Sequence, residues 1–548
     1  MAAARYAEAV LLPHDPIGFA TSDYVELALA AVLILFAIVW RPRVEQYGAA
    51  FAKRTGLCMA ALAIAPVALR LLLLATHPVP TPDVYDEFTH LLVADTLRHF
   101  RFANPPHALP QFFETFFVLQ RPTYSAIYPI GQGLSLALFG MPWIGVLAAT
   151  GALCSLCYWM LRGWTTPGWA LMGGILAVFE FGPLSPWTNS YWGGGYTAVA
   201  GCLVFGALPR LRREHRLRDA ALLGLGLAMH LLSRPFESVF LLASVILFYP
   251  RLMKPAMVTA LVCLPAVGIV LAQNKQVTGS WMTLPYVLSQ YQYGVPARFT
   301  FQAPPVPHNE LTHEQEMGYK MQLAFRNSEK ETPGSYVRRL VYRVRVYRFY
   351  FYPPLYIALV VFLVTMREVR FLWVAATALL FALGTNFYPL FLPHYIAALT
   401  CLFILMCVEG LRKLRPEASR VLIYLCVAQF AYSYVTDKPR ATAVNRQLAL
   451  PAGKLLVFVR YWPQHIFQHE WVYNAADVDS ARVVWARDLG DTEDQKLRQY
   501  YPDRKVLLLE PDARPPRLTT YRPEPPKAPE EKKDKPAPRI QFEDIPRP

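Results

Sequence analysis

The apolar residues of this chain are gathered into continuous blocks of about 15–22 residues, the length at which a helix crosses the hydrocarbon core of a bilayer. The blocks lie near 24–40, 56–76, 142–161, 168–186, 193–208, 219–233, 236–249, 256–272, 353–366, 371–389, 393–410 and 421–436. They are apolar throughout rather than alternating, which argues against a membrane β-barrel. Only 17% of residues are charged, against about a quarter in soluble domains. The expected fold class is a polytopic α-helical membrane protein with about twelve transmembrane helices.

Charge sets the expected orientation. The net charge of +15 would suggest nucleic acid in a soluble protein, but here the basic residues sit in short loops between apolar blocks. No nucleic-acid partner is expected. Arg41–Arg54, Arg162, Arg210–Arg218, Arg251–Lys254, Met366–Arg370 and Arg412–Arg420 fall on one predicted side, the cytoplasmic one by the positive-inside rule. The other side receives loops 77–141 and 273–352 and the C-terminal tail. The first 23 residues lack a basic start followed by an apolar core, so no cleavable signal peptide is expected.

The first long polar interval, Pro80 to Gly133, is dense in acids, aromatics and prolines. It contains Asp83, Asp86 and Glu87, then Tyr128-Pro129-Ile130-Gly131-Gln132-Gly133 before the next apolar block. Phe88 to Phe100 is periodic enough for an amphipathic helix lying on the membrane. Acids that start a helix explain part of the carboxylate cluster. A general base taking a proton from an attacking hydroxyl explains it as well. Asp86 and Glu87 are the candidate catalytic residues.

Ionisable groups in or beside the spans are expensive and are candidates for function; the plain alternative is ion pairing or snorkelling. Arg70, Glu180, Arg234, Glu237 and His394 all fall toward the predicted outer face. Arg70, Arg234 and His394 are placed to converge on a lipid phosphate below the Asp86 loop. Glycines 193–195 are not a phosphate-binding loop, because no Lys-Ser/Thr follows them. All eight cysteines lie in apolar blocks, so neither a disulfide framework nor a metal site is expected from them.

Loop 273–352 mixes aromatics with a late cluster, Arg338 to Tyr352, suited to a headgroup surface. Beyond the last span, Leu455–Val459, Val483–Trp485 and Val506–Leu509 have strand character, with a helical patch at about Thr492–Tyr500. The expected division is a transmembrane domain at 1–436, a small outer α/β domain at 437–511 and a disordered Pro-, Lys- and Glu-rich tail at 512–548.

These features together resemble the GT-C superfamily of membrane glycosyltransferases, which includes aminoarabinose transferases and protein O-mannosyltransferases. The resemblance rests on Asp86-Glu87 after an early span, the loop ending in Tyr128–Gly133, many spans with short basic inner loops, and a C-terminal outer domain. Pro393-His394-Tyr395 is similar to the basic-residue–tyrosine pattern these enzymes place near the lipid phosphate. His394 stands where arginine or lysine is commoner, and one extra span precedes the expected first one.

The resemblance implies a polyprenyl-phosphate-linked sugar donor and a glycan, lipid or protein acceptor reached from the periplasmic side of a bacterial inner membrane. Asp86 takes the base position, with Glu87 beside it. Arg70, Tyr128, Glu180, Arg234, Glu237, His394 and Tyr395 are the expected substrate-binding residues. No particular cofactor is identified, and a divalent metal ion is compatible with the pattern. The rival classes are a transporter or flippase of a lipid-linked saccharide, for which no internal repeat is evident, and a non-enzymatic envelope assembly protein.

Overall fold

Proline opens many of the long helices, where its missing N–H costs nothing and its fixed φ suits the first turn. A computed structural model of the protein describes residues 43–248, 253–326, 331–437 and 450–521, with Leu448 and a few positions between 24 and 35. The expected first span and Arg41 lie largely outside the described residues, as do Arg251 and 522–548. The helices used below are α1 Thr55–Leu72, α2 Tyr85–Arg98, α3 Ile130–Ala137, α4 Pro142–Leu161, α5 Pro167–Phe181, α6 Gly195–Glu214, α7 Leu217–Ser233 and α8 Pro235–Phe248. They continue with α9 Met253–Thr278, α10 Pro285–Tyr293, α11 His313–Arg326, α12 Pro333–Val346, α13 Leu355–Thr365, α14 Val369–Thr385, α15 Thr400–Lys413 and α16 Pro416–Thr436.

Among the described residues, five helices are long and apolar enough to span: Thr55–Leu72, Pro142–Leu161, Pro255–Thr278, Pro393–Lys413 and Pro416–Thr436. A sixth arises if Pro333–Tyr350 and Leu355–Thr365, which meet at a bend of 118°, count as one. Three shorter apolar helices, α5, α8 and α14, accompany them. That is fewer than the twelve expected. Hydropathy measures composition, and several apolar blocks are cut by proline or glycine into helices below spanning length.

Pro393–Lys413 is 94% buried and therefore central, whereas Thr55–Leu72 is 22% buried and peripheral. The central segment begins as a 3₁₀ turn, Pro393–Leu399, carrying His394 and Tyr395. Helix α6 lies directly on that turn: a Cβ at Gly201 would stand 1.9 Å from the Ala398 carbonyl oxygen. Only glycine allows this approach, so Gly201 helps set where Tyr395 sits. Helices α7 and α8 form a tight hairpin. The Arg234 N–H caps α7 through the His230 carbonyl at 2.7 Å, Pro235 starts α8, and His230 Nδ1 lies 2.7 Å from Ser238 Oγ.

Two short strands, β1 Val118–Leu119 and β2 Ser125–Ala126, pair antiparallel in the first loop. After the helices comes a four-stranded sheet in the order β4-β3-β5-β6. Strand β3 Leu455–Val459 runs parallel to β4 Val483–Arg487 and to β5 Lys505–Glu510, and helix α17 Asp491–Tyr500 connects those two neighbours. Strand β6 Arg517–Thr520 pairs antiparallel with β5. Residues 517–520, assigned above to the tail, are therefore part of the sheet. Leu518 is the one apolar side chain among these four, and the other three are exposed, so no apolar run marked them.

The sheet is not a separate body. Leu456, Phe458 and Leu508 on one face share a core with Leu92, Phe112, Phe113 and Tyr124 of the first loop. Each such side chain contributes about 1.5–3 kcal/mol when buried. The lobe is thus docked over the loop that carries Asp86.

Candidate active site

Helix α2 starts at Tyr85, and its first turn divides the two adjacent carboxylates between different tasks. Successive helical residues point about 100° apart. Glu87, 5% exposed, turns back as a cap. Its Oε2 accepts from the Asp83 and Val84 N–H groups at 2.9 and 3.3 Å, and its Oε1 accepts from the Tyr191 N–H at 2.9 Å. Burial raises its pKa above the ordinary value, and these amides oppose that rise. Glu87 anchors α2 to the 187–194 segment and does not line the cavity that Asp86 faces.

Asp86 points the other way, into a cavity of about 240 Å³. It is 8% exposed, and its Oδ1 accepts a hydrogen bond from the Tyr128 hydroxyl. Burial pushes its pKa up to about 7, against the pull of the Tyr128 hydroxyl and the Arg234 charge. A carboxylate held there is poised for general-base work near neutral pH.

Arg234, His394 and Tyr395 line the same cavity. The Arg234 guanidinium carbon lies 4.5 Å from the Tyr395 ring centroid. Among the described residues, no hydrogen bond and no ion pair within 4.0 Å engages this guanidinium. A second cavity of about 640 Å³ adjoins the first, and Arg234, Tyr286, Tyr388 and Tyr395 line both. Glu237 lines only the larger one, where it adds a negative charge near Arg234. The Arg234 side chain therefore stands on the wall between two cavities with its donors available.

Arg70 and Glu180 are elsewhere. Arg70 is 1% exposed and each of its three guanidinium nitrogens is engaged: Nε donates to Asn189 Oδ1 at 2.7 Å, and Nη1 and Nη2 donate to the His77 and Pro78 carbonyls at 2.9 Å each. It ties the end of α1 to the 187–192 segment and lines neither cavity, so the expected phosphate convergence omits it. Glu180 also lines neither cavity; its electrostatic neighbours are Cys407, Cys426 and Tyr356. Of the expected headgroup-surface cluster, Arg343 is buried at 1% exposure, and it donates to the Tyr388 carbonyl and steadies that cavity wall.

Sequence reasoning missed Tyr286, Tyr388 and His90 as cavity residues. Tyr286 reaches within 5.8 Å of the Tyr128 ring from a loop far along the chain, and nothing local marks it. His90 had a usable signal: it lies four residues after Asp86, on the same helix face. Among the described residues, no group of three or more His, Cys, Asp or Glu side chains is arranged to hold a metal ion.

No protein-family model matches the chain, and no curated protein matches it in sequence. Solved structures resemble it. ArnT from Cupriavidus metallidurans in the apo state is 12% identical, with a TM-score of 0.49 over 84% of this chain and 93% of that one. The same protein bound to undecaprenyl phosphate is 12% identical, with a TM-score of 0.42 over 66% of this chain. The chain spans 61% of the length of that structure. The archaeal oligosaccharyltransferase AglB from Archaeoglobus fulgidus, in complex with an inhibitory peptide and a dolichol-phosphate, is 11% identical, with a TM-score of 0.32 over 83% of this chain and 69% of that one. Likenesses at this level concern the run of the backbone and not the side chains.

Proposed function

We propose that this protein is an integral-membrane glycosyltransferase of GT-C kind that moves a sugar from a polyprenyl-phosphate carrier to an acceptor hydroxyl on the outer side of the membrane. The observation that carries this reading is the unengaged Arg234 guanidinium, on the wall between the Asp86 cavity and the larger one. Glu237 balances part of the guanidinium charge from a distance, but the Arg234 N–H donors lack an acceptor until an oxygen is brought to them. A phosphate oxygen is the anion that fits a guanidinium fork beside tyrosines.

In this reading the donor phosphate lies against Arg234, with its lipid leaving through the larger cavity past Phe236, Pro285 and Phe299. The sugar faces Asp86. Asp86 takes the acceptor hydroxyl proton as that oxygen bonds to the anomeric carbon, and the bond from that carbon to the phosphate oxygen breaks. The departing charge passes to polyprenyl phosphate, stabilised by Arg234. The proton on Asp86 then leaves to water. His394 and Tyr395 shape the phosphate side, and Tyr128 orients the base. With the basic loops cytoplasmic, this chemistry and the C-terminal lobe face the periplasm.

The test uses purified protein in lipid, a panel of polyprenyl-phosphate sugars and release of polyprenyl phosphate. Release from at least one donor is expected. Saturable donor binding with no release across the panel would overturn the reading in favour of a lipid-saccharide carrier.

Two variants sharpen it. Arg234→Gln removes charged hydrogen bonds to phosphate worth about 1.5–3 kcal/mol, so donor KM should rise by about 10- to 150-fold. Arg234→Lys, which keeps the charge but not the fork, should recover part of that. Tyr128→Phe removes a hydrogen bond that favours ionised Asp86. The rising limb of the pH–rate profile should move to higher pH by about one to two units. An unmoved limb would detach Tyr128 from the base.

A further inference from the structure

The wall of the Asp86 cavity is built partly by the C-terminal lobe. Gln468 lines that cavity from a segment anchored on both sides. Before it, the Phe467 ring packs at 5.6 Å and a 42° tilt against Phe116, which lies 5.0 Å from the Tyr85 ring at the start of α2. After it, His469 pairs with Val84 as an isolated β-bridge, and its Nδ1 lies 3.0 Å from Asp83 Oδ1. Glu470 next accepts from the Thr115 hydroxyl, and from the Tyr461 hydroxyl at 2.6 Å. Among the described residues, the Gln468 side chain has only a long contact, from Nε2 to Met321 Sδ at 3.9 Å. An amide held so firmly by its neighbours, with so weak a partner of its own, is available to a ligand.

His90 reaches the same cavity from α2, one turn beyond Asp86. It is 7% exposed, its ring stacks on Tyr128 at 4.6 Å, and its buried Nδ1 has no hydrogen-bond partner among the described residues. Burial and the nearby Arg234 push its pKa down to about 3, so the ring is neutral at working pH. A buried unpaired polar atom beside a cavity points to a group that arrives from outside.

The geometry points to His90 and Gln468 as a hydroxyl-binding subsite for a sugar ring on the Asp86 cavity, through which the C-terminal lobe takes part directly in sugar selection. Both groups are neutral, and both donate or accept, which is what ring hydroxyls require. Tyr85, Phe117 and Trp192 line the same cavity. The ring belongs either to the donor or to a glycan acceptor. This subsite rests on the transferase reading above.

The test compares kcat/KM for the best polyprenyl-phosphate sugar and its monodeoxy analogues, and then for the acceptor glycolipid and its monodeoxy analogues. A site built to bind a hydroxyl rejects the analogue lacking it, because its own polar group is left unpaired. Wild type should discriminate about tenfold or more against at least one analogue. His90→Phe keeps the stack on Tyr128 and should abolish that discrimination at one hydroxyl. Gln468→Leu, which leaves that stack untouched, should abolish it at the same or a neighbouring hydroxyl. Loss confined to donor analogues assigns the ring to the donor, and loss confined to acceptor analogues assigns it to the acceptor. Thermal unfolding at the wild-type temperature confirms that each variant is folded. Unchanged discrimination in both folded variants overturns the subsite and leaves the transferase reading standing. If wild type releases no polyprenyl phosphate from any donor, both fall together.

Discussion

Replacing Asp86 by Asn is expected to lower turnover by about 10²–10⁴-fold, the usual contribution of a positioned general base. The amide keeps the shape and still accepts from the Tyr128 hydroxyl, so the cavity should hold its form. Donor KM should change little, because Arg234 and not Asp86 meets the phosphate. The wild-type rate should climb with pH through about 7 and level off above it, because burial holds the carboxyl protonated below that point and only the ionised form takes a proton. The effect on folding has the opposite sense. An unfolded aspartate ionises near pH 3.9, so between about 4 and 7 the folded chain holds a proton that the unfolded chain has lost. Stability from this group therefore falls as pH rises through that window. Asp86→Asn escapes the cost, and at pH 8 it should unfold at or above the wild-type temperature while turning over far more slowly. Single-turnover rates and thermal scans on one preparation check both. Near wild-type turnover in the variant would move the base elsewhere.

That Asp86 was legible and its surroundings were not has a physical reason. A carboxylate cluster in the first polar interval of a very apolar chain is visible in composition alone. The different tasks of Asp86 and Glu87 are set by helix phase and by an amide at Tyr191, about a hundred residues away. Arg234 was legible because it breaks two short apolar blocks. Arg70 looked similar, but its donors are taken by Asn189 and two carbonyls that no local pattern predicts. The strand runs at 455–459 and 505–510 could be read because both faces are apolar, as central parallel strands require. Strand β6 could not, because it is a short polar edge held by its neighbour. That the lobe shares a core with the first loop depends on Phe112 and Phe458 meeting across most of the chain, which lies beyond any window of sequence.

The lobe is also joined to loop 273–352 by a buried charge pair, and cutting it should have the largest effect on stability. Arg487 at the end of β4 donates to Glu314 in the first turn of α11, with side-chain exposures of 9% and 8%. Its Nη1 lies 3.4 Å from the Glu114 carbonyl, and its guanidinium carbon stands 5.3 Å from the Tyr461 ring. Replacing Arg487 by Met leaves the Glu314 carboxylate buried without its partner, a loss of about 3–5 kcal/mol. Removing both charges, as Arg487→Met with Glu314→Leu, should recover much of that, because a buried pair contributes little over well-packed apolar side chains. The double-mutant cycle separates the two cases. Hydrogen exchange should show the loosening in both 313–326 and 455–521 for the single variant and in neither for the double. The consequence for the site follows from the cavity walls. Met321, Gln322 and Phe325 of α11 face Asp86 from one side of this joint and Gln468 from the other. A loosened joint should therefore lower kcat/KM without moving the pH midpoint of Asp86. An Arg487→Met variant with wild-type stability and wild-type exchange in both segments would show that the apolar core alone holds the lobe in place.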